Sequence, residues 1–114
     1  MQFAAELALT DAEQEHGLMG RTSLVDDTGM LFPLPFDHQA CVWMKATPMP
    51  LSVAFIDSTG RIVNVLELEP NDLAPRCAAR PSRYILEAPA GWFAQHHADE
   101  GAQINGLPGV DLAR

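Results

Sequence analysis

His38, Cys41 and Met44 recur every three residues along one short stretch. An imidazole, a thiol and a thioether are the soft donors that suit Cu(I), and Met19, Met30 and Met49 could extend the set. Methionine is also common core filler, and no compact quartet of Cys and His accompanies these residues, so structure stands ahead of copper as their explanation. Metal is therefore an alternative reading, and no cofactor is expected.

Cys41 has other possible fates. The chain holds 2 cysteines. A bridge from Cys41 to Cys77 would close a loop of about 37 residues and stabilise the fold by roughly 4 kcal/mol in the chain-entropy picture. Such a bridge belongs to an oxidising compartment, whereas two free buried thiols would suit a reducing cell. An unpaired Cys41 could instead act as a nucleophile with His38 as its base. Serine chemistry has less support: Ser52 and Ser58 fall in a hairpin and its turn, and there is no Gly-x-Ser-x-Gly elbow. Glu13 and Glu15 stand two apart and so do not share a helix face. Asp26-Asp27, Asp99-Glu100 and His96-His97 read as solvated groups.

The elements that must position these residues are mostly strands. Residues 51–57, LSVAFID, place Leu51, Val53 and Phe55 on one face and Ala54 and Ile56 on the other, so both faces are apolar. Ser58, Thr59 and Gly60 make a turn, and residues 61–68, RIVNVLEL, return as the second arm of a hairpin. Ahead of it, residues 41–44 read as a strand bearing Trp43, followed by a crossing stiffened by Pro48 and Pro50.

Residues 1–9 alternate weakly, as a half-buried strand does. Thr10-Asp11-Ala12-Glu13 is a capping box that starts a short helix, which Gly17 and Gly20 end while Leu18 and Met19 anchor it to the sheet. Gly29 to Phe32 is a brief strand that Pro33 and Pro35 should stop. Residues 69–82 form a long proline-bearing connection, 83–88 a strand, 89–97 a short helix and 102–105 a last strand, ahead of a loose tail. The expected fold is mainly β: an antiparallel barrel or jelly-roll-like sandwich of about seven short strands with two short helices.

At 114 residues the chain is one domain, residues 1–114, with no internal repeat. Fifteen acids against 7 bases give a net charge of −8, which repels phosphate backbones and anionic lipid, so no nucleic acid is expected as a partner. No apolar run is long enough to span a membrane, and no membrane insertion is expected. Met1 is not followed by a secretory signal pattern.

The motifs also resemble a known family. Trp43-Met44-Lys45-Ala46-Thr47, Pro50-Leu51, Ala54-Phe55-Ile56-Asp57 and Gly60 are similar to the signature of the domain-of-unknown-function family numbered 192, small proteins of bacteria and archaea. Upstream, Glu6-Leu7-Ala8, Gly17-Leu18-Met19, Arg21 and Gly29-Met30-Leu31-Phe32 fit its first half. Downstream, Arg83-Tyr84-Ile85-Leu86-Glu87 and Ala90-Gly91-Trp92 fit its closing block. One departure is Ala46, where the family usually has Asn. The resemblance implies the same kind of β fold. It also implies a periplasmic or secreted location if a leader has been removed, and a cytoplasmic one otherwise.

Within those motifs Arg21, Trp43, Lys45, Thr47, Tyr84 and Glu87 are the polar and amphipathic positions. An aromatic platform beside Lys, Arg and Glu would suit a small polar ligand, a glycan or a peptide end. Each has a structural counterpart: Trp43 as a central core residue, Glu87 in a buried ion pair with Arg21 or Lys45, and Thr47 as a cap on the crossing. The reading is a binding or accessory domain. The alternatives are a hydrolase using a carboxylate such as Glu87 and a copper protein using His38, Cys41 and Met44. Ligand and oligomeric state lie beyond the sequence.

Overall fold

All six residues of the first hairpin arm are buried, as a strand with two apolar faces requires of a sheet covered on both sides. The computed structural model describes residues 3–107. In chain order the elements are β1 (Ala4–Leu7), α1 (Asp11–His16), β2 (Thr28–His38), β3 (Cys41–Val42), β4 (Leu51–Ile56), β5 (Ile62–Leu68), β6 (Arg76–Cys77), β7 (Ser82–Pro89) and α2 (Trp92–Gln95). The main sheet has five strands in the order β1-β2-β7-β4-β5, and β3 pairs with β6 in a separate ribbon.

Among the described residues the expected class, mainly β with seven strands and two short helices, is observed. The barrel is not. Among the described residues β1 and β5 are the two edges of an open sheet, and the β1–β2 pair is parallel where an all-antiparallel arrangement was expected. No helix among the described residues is long and apolar enough to cross a membrane.

Register converts strand alternation into two cores. Met30, Glu87 and Val53 face one another across β2, β7 and β4, as do Phe32, Ile85 and Phe55. The apolar members of these rows join Leu18, Ala40, Met44, Met49 and Leu51 in a first cluster. The intervening row, Leu31, Leu86 and Ala54, points the other way and packs with Ile56, Trp92 and Phe93.

Several local expectations change. Strand β2 runs through Pro33 and Pro35 instead of ending there. A strand residue's N–H and C=O lie on the same edge, and the Pro33 carbonyl accepts from Gln14 Nε2 on the side that β1, ending opposite Leu31, leaves open. The donor that proline lacks therefore has no strand to serve. Strand β3 stops at Val42, so Trp43 and Met44 leave the ribbon. The expected strand at 102–105 reduces to a single bridge between Arg61 and Gln103. The tail from residue 108 on lies outside the described residues.

The Thr10 cap forms as its sequence dictates: Thr10 Oγ1 accepts from Glu13 N at 3.0 Å and Glu13 Oε1 accepts from Thr10 N at 3.0 Å. In the hairpin turn Asp57 Oδ1 accepts from Thr59 N at 2.9 Å, Thr59 Oγ1 at 2.6 Å and Arg61 N at 3.1 Å. Gly29 allows β2 to lie close to β7, because a Cβ there would stand 1.9 Å from the Glu87 carbonyl oxygen.

Candidate functional site

A cavity of about 320 Å³ opens on the first face of the sheet. Its floor is Phe32, Leu51, Ile85 and Glu87. One wall is the end of α1 with Gly17, Leu18 and Met19, and the other runs from Ala40 to Thr47. Two constraints fix the second wall. Cys41 and Cys77 face each other in the ribbon and form a disulfide, and Gly20 N donates to the Ala46 carbonyl at 2.7 Å, joining the two walls.

Glu87 sits on the central strand with 5% of its surface exposed. Its cross-strand neighbours are Met30 and Val53, so nothing beside it on the sheet can donate a hydrogen bond or carry a positive charge. Among the described residues its carboxyl makes no hydrogen bond and no ion pair. Burial alone pushes its pKa up to about 7, because a low-dielectric site penalises the charged form. The expected buried pair with Arg21 or Lys45 does not form. Arg21 is bound to Glu6.

Four of the six residues named from the motifs line this cavity: Trp43, Lys45, Thr47 and Glu87. Trp43 is 46% exposed rather than a central core residue, and Lys45 Nζ lies 5.3 Å from its ring centroid, within cation–π range. The buried Thr47 donates its hydroxyl to the Lys45 carbonyl at 3.1 Å. Arg21 lies apart with β1, and Tyr84 belongs to the opposite core. Between Lys45 and Thr47, Ala46 has φ 52°, a left-handed conformation that Asn tolerates better than Ala.

His38, Cys41 and Met44 also border the cavity, but the disulfide leaves Cys41 no thiolate with which to bind copper or attack a substrate. Among the described residues no group of three or more His, Cys, Asp or Glu could hold a metal ion. The sequence reading did not assign Glu15 or His16 to this site. The Thr10 cap sets where α1 begins, and Leu18, buried at 2%, anchors its end over the sheet, so the last helical turn has to reach this wall.

Residues 1–106 match the family model DUF192, described as "Uncharacterized ACR". The chain belongs to DUF192. It is similar to a protein of unknown function from Novosphingobium aromaticivorans DSM 12444, at 37% identity and a TM-score of 0.85, over 89% of this chain and 73% of that one. It is also similar to a protein from Sinorhizobium meliloti 1021 provisionally titled a transcription regulator, at 33% identity and a TM-score of 0.84, over 87% of this chain and 78% of that one. No curated protein matches the chain at a significant level.

Proposed function

We propose that this DUF192 domain binds a small polar ligand, a glycan or a peptide end, in the cavity beneath Trp43 and Lys45. The observation that carries this is Glu87: the residue is largely buried, and its carboxyl has no partner among the described residues and is open to the cavity rather than sealed in the core. Buried polar groups are nearly always hydrogen-bonded, and one left open toward a cavity is suited to a partner from outside. Trp43 offers a flat apolar surface at the rim, where Lys45 supplies a donor.

The Cys41–Cys77 disulfide supports an oxidising, exported location. The net charge of −8 supports a partner other than nucleic acid. Screening glycan and peptide arrays, followed by Trp43→Ala and Lys45→Ala on any hit, tests the reading. Each variant should weaken binding about tenfold, roughly 1.4 kcal/mol. Unchanged binding in both would reject it.

A hydrolytic reading has one observation in its favour: a carboxyl with a pKa of about 7 is poised for proton transfer near neutral pH. Turnover of an array hit, abolished by Glu87→Gln, would select that reading over simple binding.

A further inference from the structure

We propose, building on the binding reading above, that the ligand presents a protonated amine to the cavity and that Glu87 is its counter-ion. The electrostatics of the cavity floor favour this over a neutral hydroxyl. Around Glu87 the floor is Phe32, Leu51 and Ile85, with Met30 and Val53 beside it on the sheet. None of these can supply positive charge or a hydrogen bond, so the strongest partner the carboxylate can find is a cation brought in from solvent. Phe32 adds an aromatic ring to the same floor, which also favours a cation.

The other titratable groups on the cavity are Glu15 and His16 from α1, His38 at the end of β2, and Lys45 on the crossing. Lys45 is held over the Trp43 ring, so the one lysine on the cavity has an aromatic partner at the mouth. The net charge of −8 draws cations toward the protein as a whole. With burial holding the proton on Glu87 up to about pH 7, an entering ammonium displaces that proton to solvent. Binding and deprotonation are then one event. A free alkylamine and the amino terminus of a peptide share this chemistry.

The test uses the full chain labelled with ¹³C at glutamate carboxyls, with the Glu87 signal assigned by its loss in Glu87→Gln. Its titration is followed alone, with n-butylamine hydrochloride, and with n-butanol. Saturating butylamine should lower the Glu87 midpoint by a pH unit or more, butanol should leave it in place, and Glu87→Gln should weaken butylamine binding at least tenfold.

Trialanine and N-acetyl-trialanine separate the two sources. Tighter binding of the free peptide than of butylamine assigns a peptide terminus, and the reverse assigns a free amine. Equal binding of butylamine and butanol with an unmoved midpoint would overturn the amine while leaving a polar-ligand cavity standing. Absence of binding by these probes and by every array ligand would overturn both readings.

Discussion

Ser52 and Glu87 are buried polar side chains in adjacent registers of neighbouring strands, and they differ in one respect. Ser52 is fully buried on the second face. Its hydroxyl donates to Glu67 Oε1 at 2.6 Å and accepts from Gly91 N at 2.7 Å, tying β4 to β5 and to the start of α2. Glu87 lies one residue along β7 from Ala88, the cross-strand partner of Ser52, and points to the first face. It has no such partner among the described residues. A polar group whose bonds are all made within the fold serves the fold, and one whose bonds are left open toward a cavity costs stability that the fold alone does not recover.

The ribbon over the first face is the largest lever on this contrast. Reducing the Cys41–Cys77 bridge should cost roughly 4 kcal/mol in the chain-entropy picture. It should also open the cavity further and admit more water around Glu87, so that its midpoint moves down toward the ordinary carboxyl range. Denaturant melts with and without reductant, paired with the Glu87 titration, check both parts. A lost disulfide with the midpoint unmoved would mean that the ribbon does not keep water from the site.

Glu87 itself gives the next effect. Folded, the carboxyl keeps its proton up to about pH 7, whereas in the unfolded chain it ionises near the ordinary value of 4.5. Between those values the folded state binds the extra proton. Stability is therefore full below pH 4.5 and falls as the pH rises toward 7, by about 3 kcal/mol in all. Glu87→Gln should remove this slope and be the more stable form at pH 8. Parallel stability curves for the two proteins from pH 4.5 to 8 would show the carboxyl to be solvated.

Ser52→Ala is the smallest and the control. It removes the shorter of the two bonds made by the Gly91 amide, which keeps Glu67 Oε1 at 3.2 Å, and takes a donor from Glu67, at a cost of about 1 kcal/mol, with no dependence on pH across the Glu87 window. A pH-dependent loss matching that of Glu87 would erase the distinction between the two residues.

Much of the architecture was legible because it depends on neighbours in the chain. The β4–β5 hairpin follows from alternation and a turn closed by Asp57 and Gly60, and α1 follows from the Thr10–Glu13 cap. The two-faced core follows from a strand with no polar side. The parallel pairing of β1 with β2 was not legible, since it joins segments separated by a helix and a bend with no local signal of direction. The Pro33–Pro35 extension depended on where β1 happens to end. Trp43 looked like core by residue type, but the short ribbon releases it to the rim.

For the site, residue types and motif positions singled out Glu87, Trp43, Lys45 and Thr47. They could not separate these from Arg21, which sits beside Glu6 on β1, or from Tyr84, which alternation sends to the other face. The sequence by itself determined the hairpin, the capped helix and the presence of a glutamate in an apolar strand. Only the tertiary structure decided that, among the described residues, no cation pairs with that glutamate and that a cavity opens above it. Whether a buried charge is paired depends on side chains remote in sequence, and those are brought together or kept apart by packing alone.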